Sequence, residues 1–253
     1  MSKLSVAIIT LNEESNIAEC IHSVLPIADE VVVLDSFSTD RTAEIAAQHG
    51  AKVFQEKFAG FTNQKNRATE LCKNEYVLSI DADERLSREL QQSILEEKQV
   101  GFSAQAYSMN RLNFYCGKPI KTCSWYPDTK IRIWQKTKAR WHGGQVHEQM
   151  QVSSNAKVKL LKGDIWHFTY PTKQEMILQI ERLSRLAATD LQGQSTVCLF
   201  FKMCISPVVR LVRNYIFKLG FTSGKPGWEI CYHQSREVYL RYKHALNLKN
   251  KQQ

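Results

Sequence analysis

Glu75-Tyr-Val-Leu-Ser-Ile-Asp81-Ala-Asp83-Glu84 is a short apolar run that ends in three carboxylates. The apolar residues Tyr76 to Ile80 read as a buried strand. In open α/β sheets ligands collect outside the carboxyl ends of the strands, which is where Asp81 and Asp83 fall. Two acids one residue apart can hold a divalent cation and leave coordination positions free for phosphate oxygens. The competing reading is that Asp83 or Glu84 opens the next helix, because acids favour helix N-termini.

Outward from this stretch, strands and helices alternate. Leu4 to Thr10 is a β-branched run, and Ile17, Cys20, Ile21 and Val24 after it repeat at helical spacing. Glu30 to Asp35 is a second buried strand. Ser36 to Asp40 opens a helix that runs through Ala47 and that Gly50 can end, and Val53-Phe54 is a third, short strand. Helices are expected over Gln64–Cys72 and Ser87–Glu97. The fold class is therefore α/β, a mostly parallel mixed sheet flanked by helices. After Gly101 the pattern changes. Ala104–Phe114, Lys130–Gln135 and Gln145–Val152 read as strands without intervening helices, a mixed edge to the sheet. Thr172–Leu191 is a helix, and the chain closes with an apolar and basic stretch over 197–219 and a helix over Trp228–Leu246. The expected organisation is a catalytic domain over 1–190, with a nucleotide-binding part at 1–100 and an acceptor-side part at 101–170, followed by a basic amphipathic helical extension over 191–253.

The net charge of +9 is unevenly distributed. Residues 1–110 carry 10 basic and 17 acidic side chains, residues 111–162 carry 11 and 2, and residues 191–253 carry 10 and 2. An acidic front and two basic regions imply different partners. Seven cysteines, an odd number without a C-x-x-C pair, point to reduced thiols in the cytosol. The N-terminus enters a strand directly, without the pattern of a signal peptide, so export is not expected. The 197–219 stretch is interrupted by Lys202, Pro207, Arg210, Arg213 and Lys218, which suits a helix lying in a membrane interface, or packed on a core, better than one that spans.

No G-x-G-x-x-G follows the first strand and no G-x-x-x-x-G-K-[ST] loop occurs, which excludes the common dinucleotide and P-loop sites. Three strand ends are loaded instead: Thr10-Leu-Asn12-Glu13, Asp35, and Asp81-x-Asp83. An acidic pocket accepts an anionic nucleotide only together with a cation. The opening S-V-A-I-I-T-L-N-E-E, V-V-V-L-D-S-F-S-T-D-R-T at 31–42, Gln64-Lys-Asn66 and D-A-D-E at 81–84 together resemble the family 2 glycosyltransferases with the GT-A fold. Gly144-Gln-Val-His147-Glu148 and the basic C-terminal helices resemble a narrower subgroup, the lipopolysaccharide inner-core β-glucosyltransferases.

The resemblance implies that Thr10, Asn12 and Glu13 line a nucleobase pocket, that Asp35 contacts uracil or ribose, and that Gln64 and Asn66 touch a UDP-sugar donor. Asp83 would bind Mg²⁺ or Mn²⁺ directly, Asp81 would reach the ribose or a metal-bound water, and His167 would complete the metal shell. Asn12 and Asp40 alternatively cap helices, and Lys65 alternatively stands in solvent. Many family members carry their base in an E-D pair, and no E-D dipeptide occurs here. Glu148 is the candidate base, one of two acids between 111 and 162, with His147 as its rival. Trp125, Trp134 and Trp141 are candidates for stacking on sugar faces. The expected acceptor is a lipid-linked anionic saccharide met at the cytoplasmic face of the inner membrane, and glucose is the expected sugar. A basic nucleic-acid-binding protein is the competing class, disfavoured because the pocket that resembles a nucleotide site is acidic.

Overall fold

Why the chain folds back on its own acidic strand end is visible in the connectivity, here in a computed structural model that describes residues 2–143, 149–191 and 193–250. The N-terminal run gives β1 (Leu4–Thr10), α1 (Ile17–Val24), β2 (Glu30–Asp35), α2 (Thr42–Gln48), β3 (Lys52–Gln55), α3 (Phe61–Leu71) and β4 (Tyr76–Asp81). Then come β5 (Glu84–Leu86), α4 (Arg88–Gln99), β6 (Ala106–Tyr115), β7 (Lys118–Pro119), β8 (Asp128–Gln135), β9 (Ala139–His142), β10 (Gln149–Val152) and β11 (Val158–Tyr170). Helices α5 (Lys173–Thr189), α6 (Thr196–Val212) and α7 (Gly224–Asn250) follow. The chain divides into two compact units, one of residues up to Arg111 with Asp128–His167, the other of Leu112–Pro127 with the chain from Phe168 onward.

In the first unit the main sheet runs β3-β2-β1-β4-β8-β6-β11-β5. Its first four strands are parallel, and β4–β8, β8–β6 and β11–β5 are antiparallel. Alternation along β1 divides the core between two faces. Leu4, Val6 and Ile8 pack with Ile17, Ile21 and Val24 of α1 and Leu90 and Ile94 of α4, while Ala7, Val32, Leu34 and Val77 meet Ala68 of α3 and Cys72. Each fully buried aliphatic side chain of this set contributes about 1.5–3 kcal/mol.

Two residues separate β4 from β5, yet three strands lie between them in the sheet. Three Cα steps of 3.8 Å reach about 11 Å, whereas four flat interstrand spacings need about 19 Å. The sheet therefore curls until its far edge returns to the end of β4. Asp81-Ala82-Asp83 is the seam of that closure.

Several strands depart from expectation: β9 is not expected from the sequence, and β10 pairs antiparallel with it in a separate two-stranded sheet rather than extending the main one. Glu84-Arg-Leu is not a helix start but β5, registered as Glu84 opposite His167 and Leu86 opposite Ile165. The helix begins later, where the Ser87 hydroxyl accepts from Leu90 N at 3.2 Å. Trp166-His167 reads as strand in the sequence, but the long strand β11 around it does not, because Gly163 and scattered lysines interrupt its pattern. Gly163 has φ +89°, and a Cβ there would stand 2.8 Å from Leu90 Cα and 2.9 Å from the Glu89 carbonyl carbon. Backbone, not a pliable side chain, fills the space. Gly163→Ala is expected to lower stability by about 2–4 kcal/mol, read as a drop in the urea midpoint at unchanged slope. An unchanged midpoint would refute the close approach.

The second unit is built on α5, α6 and α7. Tyr115, Ile120, Met176, Ile180 and Ile230 form one apolar cluster and Ala188, Leu199 and Ala245 another. Thr172 caps α5 by accepting from Glu175 N at 3.2 Å.

Candidate active site

Register places the ends of three strands level. Thr10 lies opposite Asp35, and Ile9 opposite Asp81. What each side chain does there differs. Asp35 is fully buried, and its carboxylate accepts from Ser38 N at 2.9 Å, from the Ser38 hydroxyl, and from Gln55 Nε2 at 3.0 Å. Asn12, at φ 55°, reaches across to the same loop: its N–H donates to Ser38 Oγ at 2.8 Å and its Oδ1 accepts from Thr39 N at 2.8 Å. Asp35 and Asn12 thus shape the loop after β2 from both sides. Asp40 accepts from Thr42 N at 3.0 Å, the first residue of α2, which satisfies one of the free N–H groups at that helix end. Buried Gln64 donates from Nε2 to Ser36 Oγ at 3.1 Å and so belongs to this loop cluster. The Thr10 hydroxyl is buried and has no hydrogen-bond partner among the described residues.

Asn66 does something else. Its Nδ2 donates to Trp141 O at 2.9 Å and its Oδ1 accepts from Trp141 N at 3.1 Å, a two-point clasp that fixes β9 on α3.

A second cluster forms at the seam. Asp83 Oδ2 lies 3.1 Å from His167 Nε2, so residues 84 positions apart meet because β11 pairs with β5. Asp81 has other partners, with Lys65 Nζ 3.2 Å from its Oδ1 and Arg132 Nη2 3.4 Å from its Oδ2. Arg132 Nη2 also lies 2.6 Å from Glu84 Oε1, and Glu84 Oε2 accepts from Asp81 N at 3.0 Å. Burial opposes the charge of Asp81. Lys65, Arg132 and then His167 outweigh it and hold the carboxyl well below the usual carboxylate range. For Glu13 the balance is reversed. Burial, with Asp83, Asp40 and Asp81 behind it, pushes its carboxyl up against the hydrogen bond from Asn16.

Sequence reasoning missed Lys65, Glu84, Arg111 and Arg132. Lys65 is not in solvent: it is 3% exposed, and its Nζ lies 4.8 Å from the centre of the Trp141 ring. Trp134 is core, edge-on to Trp141 at 5.9 Å. Trp125 lies in the second unit beside Tyr170. Trp141 lines a cavity of about 580 Å³ together with Lys65, Arg111, Lys130 and Arg132, with Asp81 as its acid and Gln149 also in its lining. Asp81, Glu84 and Asp128 pair with these four cations, which leaves one positive charge in excess and suits an anionic guest. His147 and Glu148 lie outside the described residues. Among the described residues no three His, Cys, Asp or Glu side chains gather as a metal cage.

The arrangement joins a carboxylate–imidazole pair to a cationic cavity at the end of a parallel sheet, and known proteins match over the same region. The family model for glycosyl transferase family 2 fits residues 5–162. An uncharacterized glycosyltransferase of Rickettsia typhi is 31% identical over 99% of this chain and 90% of its own length. The lipopolysaccharide core biosynthesis glycosyltransferase LpsC of Rhizobium meliloti is 27% identical over 96% of this chain and 93% of its own. Among solved structures, TarS 1–349 of S. aureus aligns at 16% identity over 99% of this chain and 92% of that one, with a TM-score of 0.46. The extent of the family match, together with a full-length relative at 31% identity, makes the chain a member of glycosyl transferase family 2, an enzyme that transfers sugars.

Proposed function

We propose that the enzyme is a metal-dependent, inverting hexosyltransferase that moves glucose from UDP-glucose to the heptose inner core of lipopolysaccharide or a similar lipid-linked anionic saccharide. One observation carries the reading: Asp83 pairs with His167 two residues along from Asp81, which lines a cavity together with four basic side chains. The name of the Rhizobium relative supports the acceptor class.

The donor set fits a divalent cation. Asp83 and His167 offer one carboxylate and one imidazole, and two protein ligands leave room for phosphate oxygens, as Mg²⁺ and Mn²⁺ sites commonly do. Burial is the main reason the Glu13 carboxyl is raised, and Asp83, Asp40 and Asp81 add negative charge that such an ion would relieve. Asp81, committed to Lys65 and Arg132, acts on the ribose or on a bound water. When present, the cation neutralises the diphosphate that leaves.

Thr10, Asn12, Glu13, Asp35 and Gln64 form or shape the base and ribose pocket, and Asn66 serves the donor by setting Trp141. The acceptor hydroxyl oxygen bonds to the anomeric carbon from the face opposite the diphosphate. The old carbon–oxygen bond breaks toward UDP, and the hydroxyl proton passes to the base, Glu148 or His147. Gln149, next in the chain, lines the cavity. The basic walls receive phosphate or carboxylate groups of the acceptor. No described helix is long and apolar enough to cross a membrane, and we place the enzyme peripherally on the cytoplasmic face of the inner membrane.

A donor screen for UDP release with purified core lipid, with and without Mg²⁺ or Mn²⁺, tests this reading. UDP-glucose should be turned over only with metal, and a preference for another nucleotide sugar would replace the donor. In the same assay Glu148→Gln should lower kcat by about 10²–10⁴-fold with donor binding kept. Unchanged turnover would move the base to His147.

A further inference from the structure

The second unit turns an apolar helix face outward. On α6, Val197, Phe201, Ile205, Val208 and Val212 recur at helical spacing and are between 40% and 66% exposed, while its buried side chains are Leu199 and Pro207. A helix packed on a core shows the reverse. The exposed run continues beyond α6 through Ile216, Phe217 and Phe221. Beside it, α7 presents Trp228, Tyr232 and Tyr239, each more than a third exposed, and a groove of about 380 Å³ between Pro207 on α6 and Tyr232 and Tyr239 on α7 extends the same surface. Arg213, Lys218 and Lys225 are exposed around this surface, in a region with 10 basic and 2 acidic residues.

We infer that this α6–α7 surface is the membrane-docking face of the enzyme, and that its partner is a bilayer rich in anionic phospholipid. The inference rests on the lipid-linked acceptor reading and gives it a location on the chain. The apolar side chains enter the headgroup boundary, tryptophan and tyrosine sit at its depth, and the lysines and arginines stay at the anionic surface. Charge complementarity decides the occupant. A second copy of this face would bring two basic rims together, whereas each basic side chain near an anionic leaflet strengthens partitioning on the order of fivefold.

The test is sedimentation of the full chain with vesicles of phosphatidylethanolamine and phosphatidylglycerol, compared with phosphatidylcholine alone. The wild type should pellet with the anionic vesicles and remain in solution with the neutral ones. The variant Phe201→Glu, Ile205→Glu, Val208→Glu alters exposed positions, should keep the far-UV spectrum, and should partition at least roughly tenfold more weakly. Equal pelleting of variant and wild type overturns the proposal. So does a wild type that ignores vesicles but is a dimer by light scattering, made monomeric by the variant. Transfer to a delipidated, water-soluble acceptor should be equal in both proteins, so a failure of the sugar-transfer reading and a failure of docking appear in different assays.

Discussion

Asp83→Ala should reduce transfer by on the order of 10³-fold or more, with the fold intact. The side chain is 28% exposed and its partner is His167, so truncation leaves no buried charge stranded. Stability should change by less than about 1 kcal/mol, since the mutation removes neither core packing nor a buried pair. The loss should fall on kcat, because charge on the departing diphosphate develops as its bond to the sugar breaks. Asp83→Asn sharpens the experiment. An amide keeps the shape and can still hydrogen-bond the His167 ring, but it carries no charge and is a poor ligand for a hard cation. If the carboxylate is needed as a ligand, Asn should be nearly as inactive as Ala. If it only positions His167, Asn should recover most activity. Turnover near wild type in the Ala variant, unaffected by EDTA, would remove metal chemistry from the site.

Much of this site could be read from the chain because strand ends carry their own signature. Runs such as Leu4–Thr10 and Glu30–Asp35 are too apolar and β-branched to be anything but buried strands, and the polar residue that ends each must lie at the sheet's edge. Asp81 and Asp83 were legible for that reason. His167 was legible only as a resemblance, since nothing local to Trp166-His167 says that it will meet a residue 84 positions earlier. The three-residue strand β5, whose pairing creates that meeting, has no periodicity to read, and Glu84-Arg85 looks like a helix start. Lys65 and Arg132 were missed for a related reason. A lone charged residue reads as solvated, and its burial makes sense only with the carboxylates that compensate it in view. Periodicity gave the α6 stripe but not its direction, because the same spacing serves a core face and a membrane face.

The buried charges make the second large prediction. Arg132 is 2% exposed and Glu84 fully buried, and their 2.6 Å pair is supported by Arg111 Nη1 at 3.6 Å from the same Glu84 oxygen. Arg132→Met should cost about 3–5 kcal/mol, because it leaves fully buried Glu84, and Asp81 next to it, short of positive charge. The double variant Arg132→Met, Glu84→Gln should recover most of that loss, since it strands fewer charges. If the single variant were as stable as wild type, the pair would be no part of what closes the curled sheet. The dependence on pH has a definite sign. Asp81 has its folded pKa lowered, so the stability it contributes is complete above its unfolded value of about 3.8 and is lost as pH falls through the folded value. Removing Arg132 leaves burial opposed mainly by Lys65 and moves the Asp81 carboxyl upward. The gap between wild type and variant in urea unfolding should therefore be widest near neutral pH. It should close on acidification, as the variant's Asp81 takes up its proton at a higher pH than the wild type's. A gap that stays constant down to the acid limit would mean that Arg132 acts through packing on Trp141, whose ring centre lies 6.0 Å away, rather than through charge.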